Sequence, residues 1–177
     1  MRLFVALDLP WPLRENLARL GFGMPGVRWV PPENMHLTLR FIGEVPNWRA
    51  EEIDLALNAI KGRVFPLVLT GVGVFEKGGR VTALWAGSER SPQREHLQTK
   101  IETALQRAGL EAERRRFTPH VTLARLDQPA SEKITRFMQG NNLFRAEAFP
   151  VEHFTLFSSQ LGKEGSVYTA ENDYRLS

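Results

Sequence analysis

Three of the four histidines head the same four-residue phrase: His36-Leu37-Thr38-Leu39, His120-Val121-Thr122-Leu123 and His153-Phe154-Thr155-Leu156. On an extended strand successive side chains alternate faces, so histidine and threonine share one face while the apolar residue and the leucine take the other. Each copy therefore presents an imidazole beside a hydroxyl. An imidazole of unperturbed pKa near 6.5 serves as base or acid around neutrality, and a facing pair holds one of each. Such a pair suits displacement at phosphorus. Hydrolysis of a phosphodiester needs a base for the attacking water, an acid for the departing oxygen and donors for the charged phosphoryl oxygens. Thr38 and Thr122 are candidate donors, and arginines add more.

The sequence offers little to hold a metal ion. Two-histidine metal sites use His-x-His or His-x-x-x-His spacing with a further carboxylate, and neither of the first two phrases has Asp or Glu within its strand. No metal and no cofactor is expected. Cysteine is absent, which removes disulfides, thiolate ligands and cysteine nucleophiles and fits a reducing compartment. No apolar run approaches the ~20 residues of a membrane span, and Met1 to Asp8 lacks a signal-peptide layout, so a cytoplasmic chain with no membrane partner is expected. At 177 residues, 42% hydrophobic and 24% charged, the chain reads as one globular unit. The net charge is only +3, but arginine far outnumbers lysine. Its planar fork suits phosphate, which leans toward a phosphorylated or nucleic-acid partner.

The elements that must position the phrases follow from periodicity. Arg2 to Asp8 alternates as a strand, Leu13 to Leu20 as an amphipathic helix, and Gly26 to Val30 as a short strand. Pro31 to Asn34 reads as a turn into the strand Met35 to Ile42, closed by Gly43. Trp48 to Lys61 has helical spacing, and Phe65 to Phe75 reads as one long strand. Glu76 to Gly79 then turns the chain into a strand over Val81 to Ala86. Gln93 to Ala108 is a helix stopped by Gly109. His120 to Arg125 is the strand of the second phrase, followed by a helix over Ser131 to Met138. Phe144 to Ser158 and Val167 to Leu176 read as two strands around a turn at Gly162 to Gly165.

His36 and His120 lie 84 positions apart, near half the chain length, each behind a proline-containing turn and ahead of a helix. This suggests two similar halves that bring one phrase each to a shared cleft. Longer stretches carry a family resemblance: Arg2-Leu3-Phe4-Val5-Ala6-Leu7-Asp8-Leu9-Pro10, Asn34-Met35-His36-Leu37-Thr38-Leu39-Arg40-Phe41-Ile42-Gly43-Glu44 and Arg116-Phe117-Thr118-Pro119-His120-Val121-Thr122-Leu123-Ala124-Arg125. In these the chain resembles the two-histidine (2H) phosphoesterases. Within them it is similar to the bacterial RNA 2',3'-cyclic phosphodiesterases, long named 2'-5' RNA ligases, over nearly its whole length.

The resemblance implies an α+β fold of two pseudo-symmetric lobes, each an antiparallel sheet with flanking helices, around a central cleft. It implies metal-independent opening of RNA 2',3'-cyclic phosphate ends to 2'-phosphates, with reverse 2'-5' ligation in some members. By it, His36 is the proton donor to the leaving 3'-oxygen and His120 the base that activates water. Thr38 and Thr122 bind the phosphate, joined by Arg125 at the basic position after the second phrase. The expected partners are RNA ends or cyclic nucleotides, met by a monomer.

The third phrase is set apart by its context. Arg40 and Arg125 follow the first two histidines within five residues, whereas His153 runs into Phe157-Ser158-Ser159, only 33 positions after His120. In the family that late strand carries no catalytic histidine, so His153 is read as structural. His96 reads as solvated. Arg114-Arg115-Arg116 divides evenly between steering RNA and a solvated face, and Trp29, Trp85, Phe41 and Phe154 are read as core before base platforms. Two other classes compete with hydrolysis: a non-catalytic RNA-end binder, which loss of turnover with retained binding would favour, and a metal-dependent hydrolase, which sensitivity to chelation would favour.

Overall fold

The computed structural model describes all residues except 22, 23, 25 and 128–130. The chain runs β1 (Arg2–Asp8), α1 (Trp11–Arg19), β2 (Val27–Trp29), a 3-10 turn (Pro32–Asn34), β3 (His36–Glu44), α2 (Asn47–Asn58), β4 (Phe65–Leu67) and β5 (Leu69–Lys77). It continues β6 (Arg80–Ser88), α3 (Pro92–Arg107), β7 (His120–Leu126), α4 (Ser131–Asn141), β8 (Phe149–Val151), β9 (His153–Gly162) and β10 (Gly165–Arg175).

Local chemistry explains the boundaries. α3 begins where the Ser91 hydroxyl accepts the Arg94 N–H at 3.1 Å and Pro92 enters the first turn, where its missing N–H costs nothing. It stops before Gly109, whose φ of +98° suits glycine. Residues Leu3 to Leu7 of β1 are all buried, because this strand lies between β3 and β9 and is covered on both faces.

The strands form an antiparallel sheet in the order β10-β9-β1-β3-β7-β6-β5, with β2 also paired to β7. The two halves of the sheet meet at one pair, Leu37 opposite Val121. Both residues are fully buried, on the face where Leu39 and Leu123 join Ile53, Leu57, Ile101 and Leu105 in the core. At about 1.5–3 kcal/mol for each buried aliphatic side chain, this layer fixes which face of β3 and β7 is left for chemistry.

The fold is α+β with two similar lobes, as expected, but the lobes are not the two halves of the chain. The unit β1-α1-β3-α2 is matched by β6-α3-β7-α4, and the 84-residue offset of the histidines recurs between the starts of α2 and α4 and of β4 and β8. Even the short strands match, Phe65-Pro66-Leu67 against Phe149-Pro150-Val151, and these two pair with each other. The next strand then crosses over: β5 pairs with β6 and β9 with β1, so each half completes the other's sheet.

Three expectations change at this level. Phe65 to Phe75 is not one strand; it breaks at Val68, because Phe65–Leu67 belongs to the small sheet with β8. The stretch expected as a strand from Phe144 begins only at Phe149, apart from one bridge of Arg145 to Thr70. Gly43 does not close β3; with φ +92° it sits at a register shift inside the strand, opposite Leu3.

Candidate active site

β3 and β7 are antiparallel and paired at Leu37 and Val121, the residues between histidine and threonine in each phrase. The alternation of side chains then sets His36 across from Thr122, and His120 across from Thr38, on the face away from the core. His36, Thr38, His120 and Thr122 are all half-buried. The structure brings these four sequence-predicted residues together.

A bulge at the same place in both strands adds a fifth position. Val5 pairs with Arg40 but Ala6 with Thr38, leaving Leu39 extra; Leu84 pairs with Ala124 but Trp85 with Thr122, leaving Leu123 extra. An inserted residue reverses the alternation beyond it. The side chain five residues after each histidine therefore returns to the histidine's face. In β7 this is the exposed Arg125, which the sequence named; in β3 it is Phe41, 54% exposed.

The same bulge turns Arg40 inward. It is 8% exposed, and its Nε donates to Glu102 at 2.7 Å while its Nη atoms donate to the Phe41 and Glu111 carbonyls. Arg40 thus ties β3 to α3 and stands outside the site, although its closeness to His36 had served to separate the first two phrases from the third.

Both imidazoles are anchored alike. His36 Nδ1–H donates to the Asn34 carbonyl at 2.8 Å and His120 Nδ1–H to the Thr118 carbonyl at 2.6 Å. A carbonyl only accepts, so Nδ1 carries the proton and Nε2 is left to gain or lose one. Asn34 is itself tied to the Ser166 carbonyl through Nδ2 at 2.9 Å. The C-terminal hairpin therefore helps to aim His36.

Aromatic rings line each side. Phe4 lies 4.8 Å from the His36 ring, and Tyr168 meets it edge-on at 5.3 Å. Phe75 meets His120 edge-on at 4.7 Å, with Trp85 at 6.3 Å. Trp85 lies flat against Gly73, where an added Cβ would come within 2.1 Å of the indole, and its buried Nε1–H meets no acceptor among the described residues. Sequence reasoning missed Phe4, Phe157, Tyr168 and Phe75, because strand order alone brings them to the histidines. Trp29 packs on Phe137 and Phe154 is stacked in the core with Tyr174, whereas Trp85 and Phe41 face the cleft.

Burial chiefly depresses both imidazoles. It pulls His36 from 6.5 to about 4; the Asn34 carbonyl opposes this, and Arg14, His120 and Arg125 add to it. His120 is also lowered by burial, against the Thr118 carbonyl and with help from Arg125. Both rings thus favour the neutral form in the free protein, and an anion between them would favour protonation.

The third phrase is built differently. β9 pairs with β1 without a bulge, so Ser158, five residues after His153, stays buried. Thr155 is buried and its hydroxyl donates to Asp173 at 2.6 Å. Arg114, Arg115 and Arg116 are exposed on the loop leading to His120. His96 lines a cavity of about 410 Å³ with Lys61, Arg63 and Lys100, walled by α3 and the C-terminus. Among the described residues no three His, Cys, Asp or Glu side chains gather into a metal-binding group, and no helix is long and apolar enough to cross a membrane.

The family model of the 2'-5' RNA ligase superfamily matches residues 17–163. A Methanocaldococcus jannaschii protein named RNA 2',3'-cyclic phosphodiesterase is 30% identical over 175 residues, covering 95% of this chain and 96% of its own. A protein of the same name from Aeropyrum pernix is 34% identical over 161 residues, covering 88% of each. Among solved structures, Escherichia coli LigT complexed with 3'-AMP superposes with a TM-score of 0.83 at 27% identity, covering 99% of this chain and 98% of that one.

Proposed function

This chain belongs to the 2'-5' RNA ligase superfamily, and we propose that it is a cyclic phosphodiesterase that opens 2',3'-cyclic phosphate ends of RNA to 2'-phosphates through His36 and His120, without a metal ion. The observation that supports the reading is the antiparallel pairing of the two phrases at Leu37 and Val121, which puts His36 and His120 on one face of the sheet, each across from the other phrase's threonine. Two relatives named RNA 2',3'-cyclic phosphodiesterase support the substrate class.

Each step uses an atom already accounted for. His120 Nε2 takes a proton from water as the water oxygen bonds to phosphorus. The bond from phosphorus to O3' breaks, and O3' takes the proton from His36 Nε2–H, leaving the phosphate on O2'. The Thr38 and Thr122 hydroxyls and the Arg125 guanidinium donate to the two remaining phosphoryl oxygens, where charge builds up. A 5'-hydroxyl in the water's place forms a 2'-5' linkage by the same two transfers. His36, depressed to about 4 in the free protein, becomes a competent donor once the anionic substrate favours its imidazolium. Both lobes supply one histidine and one threonine, so we infer that the whole chain acts as a single catalytic unit, as a monomer in the cytoplasm.

Product analysis tests this. Incubation with a cyclic-phosphate-ended RNA in excess chelator is expected to give the 2'-phosphate. A 3'-phosphate product, or no turnover with tight binding of the end, would replace hydrolysis by another chemistry or by a binding role.

A further inference from the structure

The upstream part of an RNA end must leave the cleft on a definite side. In the proposed reaction water enters opposite O3', so the ribose, and the chain attached to it, lies toward His36. Asp8, the last residue of β1, is paired with His36 across the sheet. Arg14, on the first turns of α1, forms an ion pair with Asp8 and donates from Nε to the Leu9 carbonyl at 2.7 Å. These bonds fix the guanidinium, 13% exposed, and leave Nη1 without an acceptor among the described residues. Among the charges that act on His36, that of Arg14 is felt more than those of His120 and Arg125. The guanidinium also lies over the ring of Trp11, 5.7 Å from its centroid, and Trp11 is 51% exposed. From the position of His36, Asp8, its ion-pair partner Arg14 and then Trp11 thus lead to the surface.

We propose that Trp11 and Arg14 form a subsite for the nucleotide immediately upstream of the cyclic end, Trp11 stacking its base and Arg14 contacting its phosphodiester. The subsite makes an RNA end a better substrate than a cyclic mononucleotide; it rests on the cyclic-end reading above.

Two internal comparisons support the assignment. α2 opens with a similar pair, Trp48 and Arg49, but Arg49 reaches the Gly109 carbonyl at 2.7 Å and Glu52, joining α2 to the end of α3 on the helical face. On the His120 side the residue paired with the histidine is Gly87, and the corresponding helix begins with Pro92-Gln93-Arg94, with Arg94 buried over Phe117. Among the described residues an exposed tryptophan beneath a guanidinium stands on the His36 side and not on the His120 side, as a substrate with a strand on one side and water on the other requires. Aromatic stacking with a nearby cation is the usual way to hold single-stranded nucleic acid without reading its sequence.

The test compares kcat/KM for a cyclic-phosphate-ended hexanucleotide and for the cyclic mononucleotide in the wild type, Trp11→Ala, Arg14→Lys and Trp48→Ala. Trp11→Ala is expected to lower the ratio of the two by about tenfold, the scale of one stacked base. Arg14→Lys is expected to lower it less, and Trp48→Ala to leave it in place. An unchanged ratio in Trp11→Ala, or an equal fall in Trp48→Ala, overturns the subsite. A change in sedimentation of Trp11→Ala with an unchanged ratio overturns it too, assigning the tryptophan to a protein contact. Wild-type protein that turns over neither substrate overturns the cyclic-end reading, and the subsite falls with it.

Discussion

Five residues after His36 a bulge turns Phe41 into the cleft, and five residues after His120 the same bulge turns Arg125 there. The two sides share their backbone, their histidine, their threonine and the carbonyl that holds Nδ1. They differ in what surrounds these parts. The His36 side is walled by Phe4, Phe157 and Tyr168, and its cation, Arg14, is held by Asp8. The His120 side presents an exposed arginine on the strand itself. Duplication of a backbone supplied two imidazoles, each beside aromatic rings, and divergence of side chains fits them to the two tasks proposed above: Phe41 beside the proposed ribose and base, and the exposed Arg125 beside the proposed phosphate.

The strongest way to break this comparison is to remove the parts held in common. His36→Ala and His120→Ala are each expected to cost ~10²–10⁴ in kcat, with the double variant losing far less than the product of the two. His153→Ala, measured alongside, should stay near wild type; a large loss there with little in His120→Ala would reverse the pairing.

Next come the residues that differ. Arg125→Ala is expected to lower kcat/KM by roughly 10–100-fold, the scale of a hydrogen bond to a charged group, whereas Phe41→Ala changes it by less than about threefold. Equal effects would remove the division of tasks. Arg40→Ala separates stability from chemistry: loss of the buried guanidinium takes its charged partner from Glu102 and its donors from the Phe41 and Glu111 carbonyls, and is expected to cost about 2–4 kcal/mol in urea unfolding, while Arg125→Ala leaves stability unchanged.

The smallest effects are those of pH. Both imidazoles are held below 6.5, His36 to about 4, so kcat/KM, which reports the free protein, is expected to peak on the acid side of 6.5. The kcat profile should peak at higher pH, because bound phosphate favours both imidazolium forms; coincident profiles would show that the anion does not sit between the rings. Stability follows the same shift. Between 6.5 and about 4 the unfolded chain binds a proton at position 36 that the folded protein refuses, so stability falls as pH drops through that window and is independent of His36 above it. His36→Gln should flatten that part of the curve.

Much of this was legible in the chain. The phrases, their spacing and the apolar residues between them predicted two strands with an imidazole and a hydroxyl on one face, because alternation is a local property. The bulges were not legible, since Leu39 and Leu123 become extra residues only when β1 and β6 are laid beside them. That is why Arg40, adjacent in sequence, looked like a counterpart of Arg125 when the counterpart is Phe41. Tyr168 and Phe157 reach His36 from strands more than 100 residues away, and no local pattern connects them. The crossing of β5 and β9 was hidden for the same reason: each strand alternates normally and says nothing of its neighbour.

That crossing bears on how the protein is made. Ala6 of the first strand has Thr155 as a partner, so β1 must wait until the chain as far as β9 has left the ribosome before its second edge is covered. Pairings of such long separation close slowly. Until β9 arrives the nascent first half displays an unpaired, apolar strand edge, the kind of surface that invites aggregation. Asn34, whose carbonyl aims His36, is likewise tied to β10 through its side-chain amide only once that strand has been made. Assembly of the candidate site is thereby withheld until β9 and β10 have been made, and a chain cut between α3 and β7 would leave two fragments that each lack an inner strand of their own sheet.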